Sequence, residues 1–347
     1  MFKTIDLFTG IGGISYSLRD LLDVKAYCEI NPNSQKVLKC RMSSEHIQSA
    51  PIINDVKDYN NILKVTCNQT IDLLISSSSC IGFSIAGSRE GLENNDTKLM
   101  HDSLNLIRRI KPKMIFMENV PGIIHLNKGR DLDFLLNTLK KLNYSIKWEV
   151  HSASDIGAWH IRKRWFCLCV HESYKLKDIS NYKLPRYQHW NSDILYSVKK
   201  SKLRSNGDND RLRLLGNSVV PDCVRTAFFS LYSKFAKTIF FPFSTGLVKK
   251  EINIIIDPCK QGIEKSEKKR NRTSKLITSE KVLKFYPTPR CKNISASCIL
   301  TERCSKDLGT IVKFEKNNEW YKNYCVNPIF VEILMGFPLN YTYINIT

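Results

Sequence analysis

A short apolar run from Thr4 to Phe8 leads directly into Gly10-Ile11-Gly12-Gly13, and helical spacing follows to about Leu22. A strand that meets glycines and then a helix aims backbone N–H groups at the space above the turn. Glycine lets a ligand come close to that backbone. The chain then repeats the theme. Val24 to Glu29 reads as a second strand, and Pro32 to Cys40 as a second helix with proline near its start. Asp72 to Ile75, Met114 to Met117 after Pro112, Ser145 to Val150 and Trp165 to Val170 read as further strands. This alternation predicts an α/β fold built on a doubly wound, mostly parallel sheet.

Beyond residue 170 the pattern loosens. Residues 171–208 are polar and aromatic without a clear period, and Arg211 to Tyr232 reads as a turn followed by an amphipathic helix. A second region starts near residue 242. It carries the run Lys265-Ser266-Glu267-Lys268-Lys269-Arg270-Asn271-Arg272, a solvated loop or a phosphate-contacting strip. Short strand-like pieces fill 281–325, and Pro328 to Met335 reads as a helix stopped by Gly336.

Charge narrows the partners. Lys plus Arg number 53 against 33 Asp plus Glu, a net charge of +20, which favours polyanions, chiefly nucleic acid, over a membrane surface or mere solubility. No run reaches the roughly 18 apolar residues that span a bilayer. The first residues lack the basic-then-apolar pattern of a secretory signal, so an intracellular, non-secreted chain is expected, cytoplasmic or nuclear with DNA. The 12 cysteines are then expected to be reduced thiols. There is no Cys-x-x-Cys pair, and Cys291, Cys298 and Cys304 fit no usual zinc spacing, so no metal is expected.

Several residues stand where chemistry is done. Glu29 ends the second strand, where an acid can bind both hydroxyls of a ribose, and Asp55 on a later loop can accept from an adenine amino group. Cys80 follows the strand Asp72 to Ile75 and four serines, Ser76 to Ser79; ligands in such folds bind at that edge, although a lone Cys is most often a small buried hydrophobe. The glycine-bearing loop Phe83 to Leu92 is suited to closing over a substrate. Glu118, in Phe116-Met117-Glu118-Asn119-Val120-Pro121-Gly122, is costly to bury without a task, and a protonated Glu can donate to a ring nitrogen. Arg162 and Arg164 lie on one side of a strand, where they can hold a phosphate or polarise a carbonyl.

The order of these pieces resembles the cytosine-C5 DNA methyltransferases. The resemblance rests on the strand and turn through Phe8-Thr9-Gly10-Ile11-Gly12-Gly13, the nucleophile loop at Cys80, Glu118-Asn119-Val120, His160-Ile161-Arg162-Lys163-Arg164, and Gly216-Asn217-Ser218-Val219-Val220-Pro221. It implies the S-adenosylmethionine-dependent methyltransferase fold, with double-stranded DNA as partner and a monomeric enzyme. It implies cofactor contacts from Phe8, Thr9, Gly10, Gly12, Gly13, Glu29, Asp55, Asn217 and Ser218. It also implies catalysis by Cys80 as nucleophile, Glu118 as donor to the cytosine ring, Asn119 holding that loop, and Arg162 and Arg164 near the base carbonyl and nucleophile loop.

Departures from the pattern are informative. Ser79 and Ile81 flank Cys80 where the family has Pro and Gln, and His160 stands in place of Gln. Proline restricts φ and its neighbour, so a serine loop is less pre-organised. The segment Asn327 to Pro338 resembles one that normally precedes the Gly-Asn-Ser-Val piece but here follows it, a permuted order resembling some methyltransferases of phages and large algal viruses. Residues 1–232 are therefore expected to form the cofactor-binding and catalytic domain, 242–325 a smaller target-recognition domain, and 326–347 a segment returning to the first. A catalytically silent DNA-binding relative and an RNA cytosine-5 methyltransferase are the alternative readings.

Overall fold

The computed structural model describes residues 1–65, 69–78, 95–158, 160–182, 200–201, 207–236 and 325–344. Strands β1 (Phe2–Leu7), β2 (Leu22–Cys28), β3 (Ile52–Ile53), β4 (Leu73–Ser76), β5 (Met114–Asn119), β6 (Tyr144–Ser152) and β7 (Lys163–His171) form one sheet in the order β3-β2-β1-β4-β5-β7-β6. The first five are parallel, and β7 runs antiparallel to both β5 and β6. All five parallel strands therefore end at one edge, where loops rather than regular structure receive the side chains that follow.

Helices α1 (Gly13–Ser17), α2 (Pro32–Ser43), α3 (Tyr59–Val65), α4 (Asn95–Ile110) and α5 (Arg130–Lys141) connect the strands, and α6 (Asp208–Asn217), α7 (Pro221–Ala236) and α8 (Pro328–Met335) follow them. The sheet is apolar on both faces, as a covered parallel sheet must be. On one face Phe2, Phe116, Phe166, Phe228 and Tyr232 form an aromatic layer; Phe116 stacks on Phe166 at 5.9 Å and meets Phe228 edge-on at 5.3 Å. On the other, Ile5, Leu7, Ile115 and Trp165 pack with Leu104 and Leu135 from α4 and α5.

The strands expected up to residue 170 lie within two residues of β1, β2, β4, β5, β6 and β7, whereas the short β3 was not expected, and α8 falls where its proline and glycine place it. Asn327 accepts from the Ile329 N–H at 2.9 Å at one end, and Gly336 closes the other at φ +78°. Two expectations need correction. The first helix ends at Ser17 rather than near Leu22, because Leu22 already pairs with Phe2 and the chain must turn before it. Arg211 to Tyr232 is not one helix after a turn; α6 and α7 are separated at Ser218–Val220, before Pro221.

Helix α8 packs on α6 through a buried carboxylate. Glu332, fully buried, accepts from Arg211 Nη2 (3.1 Å), the Asn340 N–H (2.7 Å), and the N–H (2.8 Å) and hydroxyl (2.5 Å) of Thr342. A charge so fully supplied with donors fixes the segment after α8 against the body of the sheet domain. A short antiparallel pair, β8 (Lys200–Ser201) with β9 (Cys325–Val326), precedes α8. No helix among the described residues is long and apolar enough to cross a membrane. Residues 242–324, the basic run within them and Cys80 lie outside the described residues.

Candidate active site

The edge where the parallel strands end gathers most of the residues singled out above. After β1 the chain turns sharply: Phe8 adopts φ +57° and Gly10 φ +59°, and a side chain built on Gly10 would meet nothing within 4 Å. The backbone there faces open space. Gly12 differs. It sits at φ +81°, and a Cβ would lie 3.0 Å from Leu38 Cδ2, so both conformation and packing require glycine. At Gly13 a Cβ would fall 2.8 Å from Val219 Cγ2 and 3.0 Å from Ser218 Oγ, which seats the Gly216–Val220 piece directly on the turn. Thr9 is buried, its hydroxyl donating to the Asp6 carbonyl at 2.8 Å.

Glu29 follows β2 and reaches back to this turn. One carboxylate oxygen accepts from the Gly10 N–H and the other from the Asn31 N–H, each at 2.7 Å. Burial raises its pKa, and those N–H groups, with that of Ile30, act against the rise. Asp55 lies just past β3, and one of its oxygens accepts from the Lys57 N–H at 2.9 Å. The proximity of the acids registers on Cys28, whose thiol is pushed up to about 12 by burial and then by Glu29, Asp55, Asp6 and Asp58. Asp6, which the sequence reading passed over, is buried beneath the turn. Ser15 donates to one oxygen at 2.5 Å, and the other has no hydrogen-bond partner. Burial, aided by Glu29 and opposed by Ser15, pushes its carboxyl up to about 7.

On the far side of β4 lies the second group. Glu118 near the end of β5 pairs with Arg164 Nε at 2.8 Å from β7, its antiparallel neighbour. Burial raises the Glu118 pKa, while Arg164 and then Arg162 oppose the rise. Asn119 is buried, and its side-chain oxygen accepts from the Val120 N–H at 2.8 Å, shaping the exit of β5. A cavity of about 20 Å³, room for one water, lies behind Glu118 and is lined by Ser76, Ser78, Ser103 and Trp165. Arg162 is almost wholly buried and donates to the carbonyls of Gly216 (3.0 Å) and Ser218. It therefore ties the Arg-rich piece to the Gly-Asn-Ser-Val piece. His160 is fully buried with neither ring nitrogen hydrogen-bonded, and burial, then Arg162 and Arg164, drive its pKa down to about 3.

Asn217, at the end of α6, is exposed and Ser218 half-buried. Phe8 is half-buried, and its carbonyl accepts from Ser77 Oγ at 3.0 Å, joining the ends of β1 and β4. Cys80, two residues past Ser78 in sequence, lies outside the described residues. Sequence reasoning missed Asp6, whose signal was a carboxylate in an apolar strand. It also missed the contact of Phe337 and Tyr341 with the turn, which has no local signal.

A parallel sheet with one reversed strand between the fifth and last positions, and acids following its central strands, is the S-adenosylmethionine-dependent methyltransferase fold. The model of the C-5 cytosine-specific DNA methylase family matches residues 2–344, and the chain belongs to that family. It is 29% identical to the type II methyltransferase M.CviJI of Paramecium bursaria Chlorella virus IL3A, over 98% of this chain and 97% of that one. Bacterial relatives match over about half of this chain. M.BsuFI of Bacillus subtilis is 30% identical over 51% of this chain and 41% of its own, and M.HhaI of Haemophilus parahaemolyticus 28% identical over 53% of each. The near-complete match is thus to a relative from a large algal virus.

Proposed function

We propose that this chain transfers a methyl group from S-adenosylmethionine to C5 of a cytosine flipped out of double-stranded DNA, through a covalent adduct with Cys80. The single observation that carries the reading is Glu118: a carboxyl lifted by burial, fixed by Arg164, at the strand-end edge that also holds Glu29 and the glycine turn.

The residues present suit the cofactor. The open backbone at Gly10 leaves room for a ligand, and Glu29 keeps lone pairs beyond those used by Gly10 and Asn31, so it can accept from ribose hydroxyls. Phe8, Thr9, Gly10, Gly12, Gly13, Glu29, Asp55, Asn217 and Ser218 would hold it. When bound, the sulfonium supplies an electrophilic methyl group. The protein's part is to make C5 nucleophilic. Cys80 thiolate adds to C6, and Glu118 gives its proton to N3, so the electron pair of the C5–C6 double bond becomes available at C5. Arg164 keeps the Glu118 carboxyl in place, and Asn119 shapes the loop beside it. After methyl transfer, N3 returns its proton to Glu118, water takes the C5 proton and the C6–S bond to Cys80 breaks, which restores the C5–C6 double bond. Arg162, bound to Gly216 and Ser218, positions the cofactor-side turn relative to Arg164.

The base must leave the stack to be reached on its ring face. The +20 charge supplies affinity for the phosphate backbone, and residues 242–325 are assigned to target recognition, with 326–347 returning to the catalytic domain. The chain acts inside the cell, as a monomer and without a metal. DNA carrying 5-fluorocytosine at its target tests the reading, because fluorine blocks the final elimination. The parent protein should be trapped covalently and Cys80→Ala should not. Trapping by Cys80→Ala removes Cys80 as nucleophile, and no trapping by a parent that binds the DNA identifies a silent relative, as Ser79 and Ile81 favour.

A further inference from the structure

The glycine turn is shaped by a side chain that no cofactor motif contains. Tyr341 is fully buried, and its hydroxyl donates to the Ile11 carbonyl at 3.1 Å, inside the turn. The same hydroxyl lies 3.6 Å from where a Cβ on Gly12 would stand, and Phe337 Cζ lies 3.4 Å from that point on Gly13. Tyr341 is itself wedged between Phe337 at 4.6 Å and Tyr16 of α1 at 5.3 Å between ring centres. Arg41 of α2 lies over its ring at 5.5 Å. The Glu332 cluster holds the backbone on either side, through the N–H groups of Asn340 and Thr342. Tyr341 thus cannot shift without breaking a saturated buried carboxylate site.

We propose that Tyr341 is a positioning residue for the cofactor, and that the segment Phe337–Thr342 is the rear wall of the cofactor turn. The inference rests on the reading that Gly10–Gly13 holds S-adenosylmethionine. Ile11 is itself buried, so its carbonyl depends on the Tyr341 hydroxyl for a donor. Removing that donor leaves a buried acceptor unsatisfied, and the turn relaxes toward conformations in which the carbonyl finds another partner. Only the original conformation fits the ligand, so apparent affinity falls by the fraction of molecules that keep it. The coupling is reciprocal: a bound cofactor holds Phe337–Thr342 in place.

A matched pair of variants tests this. Tyr341→Phe removes one hydroxyl. Tyr232→Phe makes the same chemical change at an equally buried tyrosine, whose hydroxyl donates to the Lys177 carbonyl at 2.7 Å. Lys177 pairs with Asp72, the residue before β4, at the opposite edge of the sheet from the turn. Affinity for S-adenosylhomocysteine is measured calorimetrically on the full chain well below the unfolding temperature, and exchange of the Gly12 amide is followed by mass spectrometry. Tyr341→Phe should weaken binding about fivefold to tenfold and speed that exchange, while Tyr232→Phe, with a similar loss of Tm, stays within about twofold of the parent. In turnover, the Tyr341→Phe defect should lie in KM for S-adenosylmethionine rather than in kcat. Equal affinity losses in both variants, or none in Tyr341→Phe, overturn the role of Tyr341. If the parent binds and Glu29→Ala binds roughly tenfold or more weakly, that failure leaves the cofactor reading standing. A parent that binds no S-adenosylhomocysteine overturns both.

Discussion

Glu29 and Glu118 both stand at the ends of parallel strands, and burial raises the pKa of both, yet they are held in opposite ways. Glu29 is fixed by main-chain N–H groups on either side of it, at Gly10 and Asn31. Glu118 is fixed by a guanidinium, Arg164, reaching from the neighbouring strand. Main-chain donors cannot titrate or swing away, so they hold geometry. An ion pair at a buried carboxyl holds charge in balance, and small changes around it move a proton. On the proposed reading, the half that faces the cofactor keeps its shape, and the half that faces the base keeps a proton available.

The largest expected effect breaks the base half alone. Glu118→Gln keeps the size of the side chain and removes the acid, so kcat should fall by roughly 10²–10⁴ while affinity for S-adenosylhomocysteine is unchanged. Because Glu118 must carry its proton, activity of the parent should decline as pH rises through the elevated Glu118 pKa. A single-turnover pH profile that keeps this declining limb in Glu118→Gln would assign it to another group.

Asp6 offers the converse test, because it is a cofactor-side carboxyl with no main-chain donor. Its pKa rises from 3.8 unfolded to about 7 folded, so the folded state binds the extra proton between those values. The parent should therefore lose stability as pH rises from about 4 to 7, and Asp6→Asn should not. Denaturant unfolding should show the variant gaining on the parent by on the order of a few kcal/mol across that window. A gap that does not widen with pH would mean that Asp6 is ionised without cost. The smallest effect concerns Glu29. Glu29→Ala should lose ~1.5–3 kcal/mol of cofactor affinity, roughly tenfold or more, with kcat at saturation little changed. Calorimetry that finds parental affinity would detach Glu29 from the ribose.

Local signals carried much of this far. The apolar strands, the glycines at 10, 12 and 13, and the proline and glycine bounding α8 are each decided by a few neighbouring residues, and the structure places them accordingly. Glu118 stood out because a carboxylate at the end of an apolar strand is costly without a task, and Glu29 because an acid ending the second strand can bind ribose hydroxyls. What could not be read depends on contacts far apart in sequence. Arg162 looked like a ligand-facing cation, but its bonds run to Gly216 and Ser218, and no spacing announces that pairing. The early end of α1 follows from the register of β2 on β1, a property of two strands together. Tyr341 is an ordinary aromatic until the fold brings it to Ile11.

The Glu332 cluster has an evolutionary corollary. It fastens the polypeptide to the methyltransferase body just after residues 237–324, while α7 fastens it just before them. Whatever occupies that interval is grafted at both ends onto a frame that neither its length nor its sequence needs to support. The entropy of closing such an insert grows only with the logarithm of its length, so a doubling costs about 0.6 kcal/mol. A lineage can therefore swap or lengthen this stretch, and with it the target recognition proposed for it, while the frame that carries Glu29, Glu118 and the glycine turn is inherited intact.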